Sequence, residues 1–89
     1  MPYYVYILKS ISSEIFYKGY TTNYLKRLEQ HNAGESRYTS QHGPWKLIYV
    51  EEYEDKKSAL IREKQLKRVN KEYLQWLIDQ PSNILNRKK

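Results

Sequence analysis

The chain has 89 residues, enough for one domain with a modest core. It contains no cysteine, which excludes a disulfide framework, a thiolate metal site and a cysteine nucleophile, and fits a reducing, cytoplasmic setting. Sixteen Lys and Arg against 10 Asp and Glu leave a net charge of +6, which favours a polyanionic partner, with nucleic acid ahead of a membrane surface.

The first run, YYVYILK (Tyr3 to Lys9), is β-branched and aromatic and suits a strand. Strand alternation puts Tyr4 and Tyr6 on one face and Tyr3, Val5 and Ile7 on the other. Tyrosines interrupt its apolar residues and it lacks a basic leader, so it is not expected to be a signal peptide. No apolar stretch approaches the roughly 18 residues of a spanning helix. SISSE is a turn cluster, and IFYKG reads as a second strand that makes a hairpin with the first.

A first helix is expected after a cap at Thr21 or Thr22, ending near Asn32 where Ala33-Gly34 stops it. Leu25, Leu28 and Asn32 mark its inner stripe, with Tyr24, Arg27 and His31 along one edge. GESRYTSQHGP is a polar loop, and WKLIYVEEY (Trp45 to Tyr53) is a third strand whose alternation is only partial. Asp55 caps a second helix, DKKSALIREKQLKRV, and Asn70 caps a third that stops before Pro81. The order β-β-α-β-α-α predicts an α+β domain over 1–80, with a small three-stranded, mainly antiparallel sheet flanked by helices. Residues 81–89 are expected to form a mobile basic tail.

Two features ask for a chemical explanation. Ten tyrosines stand against one phenylalanine; a phenol ring stacks on bases and its hydroxyl reaches phosphate or water. Most of them are accounted for as amphipathic residues of a thin sheet. Glu63 is harder to dismiss, because it lies between Ala59 and Leu66 on the buried face of the second helix while Ile61 points outward. A carboxylate there needs a partner, a hydrogen bond or a metal ion. A helical ion pair with Lys67 contributes only a few tenths of a kcal/mol at a surface.

Taken together, YVY (Tyr4-Val5-Tyr6), YKG (Tyr17-Lys18-Gly19), a helical Arg27 and His31 and a later helical Glu63 resemble the GIY-YIG nuclease superfamily, in particular its small stand-alone bacterial members. The similarity covers about residues 3 to 75. YKGYTTNYLKRLEQHNAG and SALIREKQLKR are its most specific parts. The resemblance implies that Tyr6, Tyr17, Arg27, His31 and Glu63 are catalytic, with Glu63 the single metal-binding carboxylate. It also matches Gly19 to a structural glycine of the second motif, Tyr38 to a frequent tyrosine and Asn70 to a late asparagine, which a helix cap explains equally well. Tyr4 and Lys18 depart from the motif names, and Lys18 is expected to face away from Tyr17.

The implied activity is metal-dependent hydrolysis of phosphodiesters in nucleic acid, DNA first, with low sequence specificity or selectivity for structure. Mg²⁺ or Mn²⁺ is the implied cofactor, since one carboxylate with retained waters suits such an ion. Arg27 would bind the phosphoryl oxygens and Tyr17 would act as base, with Tyr6 orienting the water and His31 competing for the base role. Arg37, Tyr38, Lys64, Lys67 and Arg68 are candidate nucleic-acid contacts, within a basic region that also includes Lys56, Lys57, Arg62 and Lys71. No obligate protein partner is evident. A non-catalytic nucleic-acid-binding module and a tyrosine-faced protein adaptor are the alternatives.

Overall fold

The computed structural model describes residues 2–88. Strand β1 (Tyr3–Ser10) is central, flanked by β2 (Phe16–Thr21) and β3 (Trp45–Tyr53) in the order β2-β1-β3. Both pairings are antiparallel, as expected. Helix α1 (Tyr24–Asn32) follows β2, while α2 (Lys56–Leu66) and α3 (Lys71–Ile78) follow β3. Short 3-10 turns cover Thr39–Gln41 and Ile84–Lys88.

The tyrosine alternation along β1 divides the core in two. Val5 and Ile7 pack with Tyr49, Ala59, Leu66, Leu74 and Leu77, so α2 and α3 cover that face. Tyr6 and Leu8 pack with Trp45 and Val50 on the other, where Tyr17, Tyr24, Leu28, Ile84 and Leu85 close the layer. Each fully buried Leu or Ile contributes about 1.5–3 kcal/mol relative to exposure. The partial alternation of β3 has a physical cause: the β1–β3 register shifts between Ile7 and Leu8. Across this bulge Ile48 and Tyr49 both serve the α2/α3 face, and Leu47 and Val50 serve the other.

Asp55 and Asn70 cap α2 and α3, their side chains accepting from the Ser58 and Tyr73 backbone N–H groups. The cap of α1 differs from expectation. Asn23 holds it, accepting from Lys26 N at 3.1 Å, while the Thr21 hydroxyl accepts from Asn23 N and shapes the turn before it. The inner stripe of α1 differs too. Leu25 is 58% exposed and Asn32 uses its amide on β3, while His31 is buried. This helix lies over the polar, tyrosine-bearing face of the sheet, so its inward residues are Tyr24, Arg27, Leu28 and His31 rather than the most apolar ones.

A second correction concerns the C-terminal segment. Asn83 is 1% exposed, and its side chain accepts from Val50 N at 3.1 Å and donates to Ile48 O at 3.0 Å. It thereby satisfies the outer edge of β3 as a neighbouring strand would. Ile84 and Leu85 pack on the Tyr6 layer, and Asn86 Nδ2 donates to Ile78 O. The segment is docked through Asn86; Lys89 lies outside the described residues. Arg62 is also diverted from the surface role expected of it. Its Nε and Nη2 donate to the buried Glu51 carboxylate, which accepts from the Tyr49 and Tyr53 hydroxyls as well. Replacing Asn83 with Ala is expected to lower stability by about 1–3 kcal/mol, because it strands the buried Val50 N–H and the partly buried Ile48 carbonyl. Urea unfolding of the two proteins measures this.

Candidate active site

Tyr6 is the floor of the site. It pairs across the sheet with Gly19 and is only 1% exposed. The glycine is present for space: a Cβ at Gly19 would stand 2.7 Å from the Tyr6 hydroxyl oxygen and 2.8 Å from the ring carbon that bears it. Gly19 is a regular β2 residue, so the tyrosine can lie flat across its neighbour only because that neighbour has no side chain. The Tyr6 hydroxyl meets His31 Nε2 at 3.0 Å, and His31 Nδ1 meets Thr39 Oγ1 at 2.7 Å.

Tyr17, two residues before Gly19 and therefore on the same face, sets its ring 4.8 Å from the imidazole and 6.2 Å from Tyr6, centroid to centroid. Tyr17 remains half-buried, so solvent reaches it where it does not reach Tyr6. Lys18 turns to the other side, close enough to Lys67 that burial and then this like charge lower its pKa. Arg27, one helical turn before His31, lies against the tyrosines, with Nη1 donating to Gln30 Oε1 at 2.8 Å. The Tyr6 hydroxyl, and Tyr17 after it, raise the Arg27 pKa above its ordinary value.

Burial pushes Tyr6 up to about 12, opposed by Arg27 and reinforced by Tyr17 and Glu63. Burial, followed by Arg27, holds His31 below its usual range. His31 is therefore neutral near pH 7, with both ring nitrogens occupied. It has no free nitrogen to offer a water molecule directly.

Glu63 belongs to α2, in the opposite layer, yet its charge acts on Tyr6. β2 is an edge strand, and both α1 and α2 contact it. The Glu63 side chain is 16% exposed, and its salt-bridge partner among the described residues is Lys67, 3.8 Å away and itself 55% exposed. So loose a pair leaves an inward carboxylate largely uncompensated. Among the described residues no group of three His, Cys, Asp or Glu forms a metal cage. A single, partly buried carboxylate fits a hydrated divalent cation whose other ligands are water and phosphate oxygens.

The other sequence candidates are Tyr38, Arg37, Lys64, Lys67, Arg68 and Asn70. Tyr38 is 52% exposed, with its ring 6.3 Å from Tyr17 and 5.3 Å from His42. Arg37 is exposed beside it, and Lys64, Lys67 and Arg68 are exposed on or just after α2. Asn70 is the α3 cap. Sequence reasoning did not single out Thr39 and Trp45. Thr39 is fully buried and holds both His31 and, through its carbonyl, Trp45 Nε1 at 2.8 Å. The one sequence signal of Thr39 is position, in a loop that otherwise looks merely polar.

A sheet face that gathers two tyrosines, an arginine and a histidine beside a lone carboxylate defines a class, the small α+β nuclease-type domain. The chain belongs to the GIY-YIG catalytic domain family, whose model matches residues 2–75. That domain is a nucleic-acid-cleaving one, and nucleases of the family are generally dependent on divalent metal. A UPF0213 protein of Haloquadratum walsbyi is 37% identical over 83 residues, covering 92% of both chains. One of Clostridium perfringens is 41% identical over 80 residues, covering 89% of this chain and 85% of its own. The solution NMR structure of a UPF0213 protein from Bacillus halodurans matches with a TM-score of 0.57 at 29% identity, covering 92% of this chain and 87% of that one.

Two outcomes are expected. Gly19→Ala displaces the Tyr6 ring, and overpacking of this kind costs about 1–3 kcal/mol; urea unfolding and cleavage both report it. Stability also falls on acidification. An unfolded chain takes up a proton at His31 near pH 6.5, whereas the folded one, with its pKa lowered by burial, resists. The His31 contribution is complete above that pH and is lost as pH falls through the unfolded value toward the folded one. Urea midpoints at pH 7.5 and 5.5 show the drop, and His31→Asn reduces it.

Proposed function

We propose that this protein is a metal-dependent endonuclease that hydrolyses phosphodiester bonds in DNA, with Mg²⁺ or Mn²⁺ bound at Glu63 and with low sequence specificity or selectivity for structure. One observation carries the proposal: Tyr6, Tyr17, Arg27 and His31 converge on one face of the sheet, within electrostatic reach of a partly buried Glu63 that lacks a firm countercharge. The absence of cysteine supports a reducing, cytoplasmic setting.

Each residue has a task suited to its surroundings. Arg27, permanently charged and forked, binds the non-bridging phosphate oxygens as their charge grows. Tyr17 is the accessible phenol and takes the proton from the attacking water, and Arg27 beside it stabilises the charge developing on its oxygen. Tyr6 is too buried and too weak an acid to lead. From the floor of the site it positions Tyr17 rather than the water, with His31 holding its hydroxyl. A divalent cation at Glu63 supplies Lewis-acid polarisation of the phosphate and of the leaving oxygen. Arg37, Tyr38, Lys64, Lys67 and Arg68 guide the strand by charge and stacking, so binding weakens steeply as salt rises.

Cleavage of labelled single-stranded, duplex, flapped and branched DNA, with RNA alongside, tests this in Mg²⁺ or Mn²⁺. Arg27→Ala and Glu63→Ala are each expected to slow cutting by about 10²–10³-fold, the cost of losing one preorganised charge-stabilising group. The proposal fails if wild type binds these substrates without cutting, or if all three proteins cut alike.

A further inference from the structure

We propose that the cavity at the hairpin end of the sheet, on the face opposite Tyr17, is a binding site for a phosphate monoester, held by Lys9 and Lys46. The site is separate from the nuclease function proposed above and does not depend on it.

Strand register brings the two lysines together. Lys9 of β1 and Lys46 of β3 are direct cross-strand partners. Residues paired in this way share one face, with Cβ atoms about 4.5–5.5 Å apart, and like charges so placed destabilise a sheet. Neither lysine can leave without a register slip that would turn the core residues of its strand outward. Lys9 is half-buried, its Nζ 6.0 Å from the centre of the Phe16 ring, and Lys46 is exposed. Among the described residues neither forms an ion pair. Their repulsion stands without an internal counterion.

Both lysines line an open cavity of about 640 Å³ between the end of the sheet, the turn after β1 and α3. That volume is typical of small-molecule sites. The carboxylate in its wall, Glu14, is paired with Lys71 at 3.7 Å, so the cavity keeps a surplus of positive charge. Phe16, Ile48 and Ile78 give it an apolar side, and Gln75 of α3 adds an amide donor. The serines of the turn are otherwise engaged: Ser12 Oγ donates to the His42 and Gly43 carbonyls, and Ser13 Oγ donates to Ser10 Oγ. The ammonium groups are therefore what an anion meets.

Charge selects the ligand. A phosphate monoester carries about −1.5 to −2 near pH 7, which two ammonium groups match, whereas a diester or a carboxylate carries half as much. Lysine binds phosphate as a point charge, and the apolar side takes the organic part of the ester. The same group arrives on a free nucleotide or at the phosphorylated end of a nucleic-acid strand. Phe16 faces this cavity and Tyr17, the next residue, faces the opposite layer, so a phosphate bound here is not the one at the candidate active site.

The experiment is an amide NMR titration of the full chain, without divalent metal and at fixed ionic strength. The probes are deoxyadenosine monophosphate, deoxyadenosine, and one short oligodeoxynucleotide with and without a 5′-phosphate. The proteins are wild type, Lys9→Gln, Lys46→Gln, Lys46→Arg and, as a control on α1, Lys26→Gln. The monophosphate is expected to shift the Lys9, Phe16, Lys46 and Ile48 resonances with a Kd of about 1 mM, and deoxyadenosine to leave them in place. Each Gln substitution at Lys9 or Lys46 weakens this binding about tenfold, the loss of one hydrogen bond to a charged group. Lys46→Arg and Lys26→Gln bind like wild type.

Shifts with the monophosphate assign the site to small phosphate esters. Shifts with the 5′-phosphorylated oligonucleotide alone assign it to strand ends, and both results support the proposal. It is overturned if neither phosphorylated probe moves these resonances, or if deoxyadenosine or the unphosphorylated strand moves them equally. Binding that survives unchanged in both Lys9→Gln and Lys46→Gln overturns it too. Cleavage enters none of these readouts, so a failure of the nuclease function is seen separately.

Discussion

A phenol hydroxyl buried in the middle of a three-stranded sheet must find hydrogen-bond partners inside the protein, and much of this structure follows from how Tyr6 does so. The ring needs a neighbouring strand without a side chain, which requires Gly19. The hydroxyl needs a partner, which His31 supplies from a helix lying over that face. The imidazole needs a partner in turn, which draws in the 3-10 turn at Thr39 and, behind it, Trp45. A polar chain of this kind is stable only when every member is satisfied. Among the described residues no buried side-chain nitrogen or oxygen lacks a partner.

The opposite face solves a similar problem for a different end. Glu51 is buried among the Tyr49 and Tyr53 hydroxyls and the Arg62 guanidinium, and Tyr49 also meets Ser82 Oγ at 2.9 Å. These groups join β3 to α2 and to the C-terminal segment. Their acidity reflects that enclosure: burial first, and then Glu51, raise the pKa of both tyrosines. Arg62 is fully engaged in the pair, so it holds layers together while other cations of α2 face solvent. Two tyrosine clusters thus share one sheet, one on each face.

Electrostatics supports the proposed site. Arg27 stabilises negative charge among the tyrosines, whereas Glu63 opposes it from α2. In the proposed function the guanidinium suits a phosphate and the carboxylate suits a cation. The exposed lysines and arginines around the rim extend the same logic outward at low energetic cost, because each is solvated in the free protein.

Much of this was written in the sequence. Alternation along β1 separated Tyr4 and Tyr6 from Val5 and Ile7, and helical spacing placed Glu63 inward between Ala59 and Leu66, because both periods are local properties of the backbone. The caps at Asp55 and Asn70 were legible for the same reason. The inward face of α1 was not, since it depends on what the helix covers: over a tyrosine face, His31 turns in and Leu25 turns out. Nor could the sequence show that Gly19 is there for the Tyr6 hydroxyl, that Asn83 closes the edge of β3, or that Thr39 holds His31. Each of these joins residues distant in the chain, through side chains whose hydrogen bonds exist only once the layers have packed. Local pattern determined the elements and the residue types able to do the chemistry; tertiary packing decided which polar groups meet.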